Sequence, residues 1–144
     1  MSRITIDEFD NLMKQEMPWA IEDGLSLESL GKGEAVMRLP ISATNLRPGG
    51  TISGPAMMSL ADATMYAAVL SAIGFIETAV TTSFNINFLR KPKSVELTAH
   101  GRTLKIGRRL AVLEVNIYSD GLEDPVAHAT GTYSIPPASK ISAR

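Results

Sequence analysis

Residues 55–73, PAMMSLADATMYAAVLSAI, constrain the fold more than any other stretch. They hold no glycine, no proline after the first residue and one formal charge, Asp62. A helix that is apolar on every side must be wrapped by other structure or span a membrane. Ser59 and Thr64 share the segment with Asp62 and no basic cluster flanks either end, so a wrapped core helix is expected, with no membrane partner. Its ends are marked: Ser53 or Gly54 suits the cap, Pro55 the first helical position, and Gly74 the left-handed residue that stops a helix. Ala61, Ala63, Ala67 and Ala68 either allow a second helix to approach closely or simply fill the core.

Asp62 raises the functional question, because taking an unpartnered carboxylate out of water is costly. Two kinds of residue persist there: a structural Asp held by backbone or hydroxyl donors, and a general base or nucleophile kept in a partly dry site. Burial alone does not separate them.

The rest of the chain bounds the answer. At 144 residues it is expected to be one domain, 1–144, with a proper core. The 14 basic and 15 acidic residues are interspersed and leave a net charge of -1, so nucleic acid is not an expected partner. Without cysteine there is no disulfide frame and no thiolate nucleophile, and two histidines far apart in sequence make a metal cluster unexpected. MSRITIDEFD lacks an apolar h-region, which fits a cytoplasmic protein.

Thr5 to Glu8 reads as a capping box, and Phe9, Leu12 and Met13 fall on one face, so an amphipathic lid helix is expected over about 5–17, stopped by Pro18. Residues 24–39 alternate, with Ala35, Met37 and Leu39 facing one way, and Gly31 and Gly33 mark a hairpin turn. A long Pro-, Gly- and Asn-rich loop over 40–50 then leads to the helix, and loops of that kind are often functional. Four further strands are expected over 79–89, 95–104, 109–118 and 125–135, with turns at 105–108 and 120–121. About 137–144 is expected to be a flexible tail. The order of helix, two strands, buried helix and four strands gives an α+β fold, a strongly curved antiparallel sheet wrapped around one long helix.

Gly50, Ser53-Gly54-Pro55 and Leu60-Ala61-Asp62 resemble, at matching spacing, the Gly-x-x-His-Gly-Gly-x-x-x-x-Leu-x-Asp signature of hotdog-fold acyl-CoA thioesterases of the phenylacetate-degradation type. The resemblance covers about 24–135, including the closing VAHATGTYSI. It implies a hotdog fold, Asp62 as the catalytic carboxylate, the Gly54 N–H as donor to the thioester carbonyl, and a site between protomers. Ser53 stands where His is usual and Pro55 where a second Gly is usual. Arg47 holds a place often taken by Asn, with Asn45 two residues earlier. On the strand where the family often carries a Ser or Thr assisting the carboxylate, Thr81 is the candidate. Arg90 and Lys91, with Lys93, form one basic run and Arg108 and Arg109, with Lys105, another; each meets the phosphates of coenzyme A or is a solvated strand end. Asn45, Arg47, Ser53, Arg90, Lys91, Arg108 and Arg109 are therefore the substrate-binding candidates.

Helix geometry adds an independent constraint. Seven residues from Pro55 to Asp62 rise about 10 Å, so one helix cannot bring both its N-terminus and its carboxylate to one carbonyl. Two subunits are required, and a homodimer or a dimer of dimers is expected. Met57, Met58, Met65 and Tyr66 suggest an apolar, adaptable acyl pocket. The function expected is hydrolysis of medium-chain or aryl acyl-CoA thioesters, with no cofactor beyond the coenzyme A of the substrate. A hydratase would place a His near the helix, and none precedes Ala99. The rivals are a non-catalytic acyl-CoA or acyl-binding module and a plain oligomerisation domain.

Overall fold

The computed structural model describes residues 1–137; residues 138–144, which take in all but the first residue of the expected tail, lie outside the described residues. Helix α1 (Ile6–Glu16) opens on the capping box, with the Thr5 side chain and the Glu8 side chain each accepting from the other residue's backbone N–H. Pro18 ends α1 as expected but also begins a second helix, α2 (Pro18–Glu22). Its fixed φ and missing N–H suit a first helical turn, so the same residue closes one helix and opens the next at an elbow on Met17.

Strands β1 (Ser26–Gly31) and β2 (Glu34–Leu39) form the first hairpin. Then come the long helix α3 (Gly54–Ile73) and strands β3 (Val80–Phe88), β4 (Leu97–Ile106), β5 (Leu110–Ser119) and β6 (Ala127–Ser134). They make one antiparallel six-stranded sheet in the order β1-β2-β4-β5-β6-β3. The chain thus leaves β3 at one edge and crosses to pair β4 with β2 and β5, the hotdog arrangement. Helix α3 is long and apolar enough to cross a membrane, yet it lies against the inner face of the sheet, on β2, β4 and β5 above all.

Close approach there depends on Gly101, where a Cβ would come within 2.8 Å of the Thr64 methyl. Ala61, Ala67 and Ala68 are fully buried in that contact within one chain, while Ala63 is only half-buried. The helix stops where Gly74 takes φ 94° and its N–H donates to the Leu70 carbonyl. Ser71 ties this end to the first hairpin by accepting from the Gly33 N–H at 2.8 Å. The burial alternation of β5 is complete, with Ala111, Leu113, Val115 and Ile117 all buried. Strand β3 is different: Phe84 and Ile86 are half-buried and Val80 and Phe88 exposed, because an edge strand has no neighbour on its outer side.

Candidate active site

The N-terminus of α3 leaves one amide free. Ser53 is extended, its hydroxyl accepts from the Ala56 N–H at 3.2 Å, and its carbonyl accepts from the Met57 N–H at 3.0 Å. Pro55 has no N–H to offer. Of the three donors that this helix start leaves open once Pro55 is set aside, only the Gly54 N–H has no partner among the described residues. A side chain at Gly54 would press on the Phe88 ring, 3.3 Å from its Cζ.

The loop before it is self-contained. Asn45 is buried, with its Nδ2 donating to the Pro40 carbonyl at 2.9 Å and its Oδ1 accepting from the Ser42 N–H at 3.0 Å. Its side chain thus holds the loop in place within the chain. Arg47 is exposed, and its backbone closes the turn onto Thr51 and Gly50.

Eight residues beyond Gly54, and so about 12 Å along the axis, Asp62 receives two hydroxyls on one oxygen. Thr81 donates to its Oδ1 at 2.7 Å and Tyr133 at 2.8 Å, while the Tyr133 hydroxyl also lies 3.0 Å from the Asp62 carbonyl. Thr81 and Tyr133 face each other in the β3–β6 register, so the sheet presents both beneath the helix. Burial, and after it the Asp62 charge, holds the Tyr133 phenol far above its ordinary range, so it stays a donor. One turn further on, Tyr66 donates to the Glu77 carbonyl at 2.8 Å and is pushed up to about 12, chiefly by burial. Its ring stacks on Tyr133 with centroids 6.2 Å apart.

These groups form the floor of a cavity of about 790 Å³ between the α1–α2 elbow and the α3–β3 surface. Met13, Met17, Trp19, Met58 and Phe84 supply its apolar walls. Of the four side chains expected around an acyl pocket, Met58 and Tyr66 line it, whereas Met57 and Met65 are buried and do not. Met65 turns to the sheet instead, where its sulfur occupies the space that a side chain at Gly131 would need.

The basic candidates do not converge within one chain. Arg90 and Lys91 follow the end of β3 that touches Gly54, whereas Arg108 and Arg109 lie in the β4–β5 turn, beside the end that carries Thr81. All four are exposed, and the Arg90 guanidinium donates to the Pro125 carbonyl. His128 sits on the outer face of the sheet, 3.0 Å from Glu114, whose carboxyl is held below its usual range first by that contact and then by Arg102.

Tyr133 is the member of the constellation that sequence reading did not single out. Its only sequence signal is its alternate position in the final strand, which any inward-facing aromatic shares.

The family model described as the thioesterase superfamily matches residues 49–126. A crystal structure of a candidate thioesterase from a Silicibacter species is 43% identical, covers 95% of each chain and superposes with a TM-score of 0.86. A mutant of the phenylacetic acid degradation protein PaaI from Thermus thermophilus is 28% identical over 83% of this chain and 99% of that one, with a TM-score of 0.73. A candidate esterase of Saccharolobus solfataricus is 29% identical over 133 residues, 92% of this chain and 86% of that one.

Proposed function

Since this chain belongs to the thioesterase superfamily, with thioester hydrolysis as its general chemistry, we propose that it hydrolyses medium-chain or aryl acyl-CoA thioesters to the free acid and coenzyme A. The observation that carries the reading is a carboxylate, Asp62, held by two hydroxyls on the floor of an apolar cavity. Asp62 takes the proton of a water that attacks the thioester carbonyl, or attacks that carbon itself to form a mixed anhydride that water then cleaves to the free acid and the Asp62 carboxylate; in either case the carbon–sulfur bond breaks and the thiolate leaves. Negative charge developing on the carbonyl oxygen needs a preorganised donor, and the unpartnered Gly54 N–H at the positive end of α3 supplies one. Coenzyme A enters as part of the substrate, and the assigned steps use protein groups and water.

Gly54 and Asp62 are too far apart on one helix to act together, so the site is assigned to two subunits. Strand β3 supports this. It is an edge strand, it runs opposite to α3, and it carries Thr81 beside Asp62 at one end and Phe88 beside Gly54 at the other. Antiparallel pairing of β3 with its copy about a two-fold axis would set the Asp62 end of one subunit against the Gly54 end of the other. The same pairing would bring Arg108 and Arg109 toward Arg90 and Lys91 of the partner subunit, a composite cradle for the phosphates of coenzyme A. The acyl group then fills the methionine-walled cavity.

One observation favours the rival, a non-catalytic acyl-CoA-binding module. Pro55 removes an amide and Ser53 spends its hydroxyl on the cap, so the oxyanion receives a single backbone donor. Incubation with hexanoyl-, octanoyl-, phenylacetyl- and benzoyl-CoA in the presence of a thiol-trapping reagent separates the two. Thiol release with a preference for these over acetyl-CoA is expected, and binding without release would establish the module. Sedimentation should show a dimer or a tetramer; a stable, active monomer would overturn the two-subunit site.

A further inference from the structure

Asp62 is bonded on one side only. Its Oδ1 accepts from Thr81 at 2.7 Å and from Tyr133 at 2.8 Å, whereas Oδ2 has no partner among the described residues although Asp62 lines the cavity. The single phenolic proton of Tyr133 has two acceptors within reach, Oδ1 and the Asp62 carbonyl at 3.0 Å. The carbonyl lies within α3, where the amide one turn on is its natural partner, and an ionised carboxylate is the stronger acceptor. The proton therefore goes to Oδ1. We propose that Tyr133 is a positioning residue that, together with Thr81, saturates Oδ1 and fixes the carboxylate plane so that Oδ2 alone is presented to water or to the thioester carbon.

The ring that delivers this hydroxyl is itself held. Tyr133 is 2% exposed and stacks on Tyr66, and Tyr66 meets Phe9 of α1 with centroids 6.0 Å apart. The N-terminal helix thus buttresses the carboxylate through two aromatic rings as well as forming the cavity roof. A carboxylate free to turn about its last torsion would offer either oxygen in a range of directions, and attack geometry tolerates little of that.

The inference rests on the hydrolytic reading above, and the test separates the two. In Tyr133→Phe the ring, its stacking and the cavity wall remain and only the hydroxyl goes. Loss of one hydrogen bond to a charged group should lower kcat roughly ten- to a hundredfold with KM changed by less than about twofold. Thr81→Val should act in the same sense and Thr81→Ser should restore most of the rate. With both donors removed, Tyr133→Phe and Thr81→Val together should lose more than the product of the single losses, because they share one oxygen. Replacing Tyr133 by 3-fluorotyrosine, which keeps the hydroxyl, should retain kcat; a loss equal to that of the Phe variant would assign the effect to the ring and overturn the proposal. A Phe variant with a lowered melting temperature but wild-type kcat would likewise overturn it, leaving Tyr133 purely structural. If Asp62→Asn is inactive while Tyr133→Phe is fully active, the positioning role alone fails; if Asp62→Asn is itself active, the catalytic assignment of Asp62 fails and takes this inference with it, and if the wild type releases no thiol the hydrolytic reading fails.

Discussion

The two faces of α3 are built from similar residues and have opposite fates. On one, Leu60, Ala61, Thr64 and Ala68 are fully buried against the sheet, and Thr64 settles its hydroxyl on the Leu60 carbonyl one turn back. On the other, Met58 is exposed, Ser59, Asp62 and Ala63 are half-buried, and the space beside them is a cavity of about 790 Å³. Empty space beside a helix forgoes dispersion contacts that a packed neighbour would supply. The sheet face therefore holds the fold together, and the cavity face keeps room for another molecule. Substitutions on the first should move stability and leave the chemistry alone, and those on the second should do the reverse.

The largest effect is expected from Asp62→Asn. Asn keeps the volume and can still accept from Thr81 and Tyr133 through its carbonyl oxygen, but it cannot take a proton from water. Thioester hydrolysis should fall about a hundred- to ten-thousandfold, more if Asp62 is the nucleophile. Removing a half-buried charge should leave the melting temperature unchanged or higher. Near wild-type turnover would break the distinction between the two faces at its strongest point.

Leu60→Ala tests the opposite face two residues away. Leu60 is completely buried, and truncation there should cost about 2–5 kcal/mol in chemical denaturation. The fraction that remains folded should turn over substrate at the wild-type kcat. A reduced kcat with unchanged stability would show that the sheet face also tunes the site.

Much of this division was legible in the sequence, and the reasons differ by residue. Helix α3 stood out because its composition excludes a surface helix, and the six strands because alternation and turn signals mark them. Asp62 drew notice as the one charge in an apolar run. The cavity was hidden by the same composition, since methionine and alanine read alike whether they meet a sheet or an open space. Pro18 was readable as a stop but not as the first residue of α2, so the elbow that roofs the cavity was unseen. Strand order was also out of reach: nothing around Pro92 says that the chain crosses from one edge of the sheet to pair with β2. Tyr133 lies 71 residues from Asp62, and only the packing of α3 against β6 brings them together.

A smaller effect is expected at the junction of the two faces. Ser53→Ala removes the cap on α3 and should cost about 1 kcal/mol in unfolding free energy. Its hydroxyl touches Ala56 rather than the free Gly54 amide, so turnover should fall far less than in Asp62→Asn. A loss of activity as large as that of Asp62→Asn would mean that Ser53 acts on the substrate directly.

The smallest effect at neutral pH is expected from Tyr66→Phe, and it sharpens the comparison through pH. The hydroxyl donates to the Glu77 carbonyl, a contact that water can replace, so its loss should cost about 0.5 kcal/mol at pH 7. The folded protein raises Tyr66 from 10.0 to about 12, mainly by burial, which means that the neutral phenol is favoured in the folded state. The unfolded chain loses its proton first, near pH 10, and from there stability declines as pH rises until the folded phenol also ionises near 12. Below pH 10 both states are protonated and Tyr66 adds no pH dependence. Tyr133 is shifted in the same direction and adds to the decline. Phe cannot ionise, so the variant should lose less stability than the wild type between pH 10 and 12, and the two denaturation midpoints should converge or cross. Parallel curves through that range would show that Tyr66 meets solvent freely, and that the cavity face is wetter than its apolar walls imply.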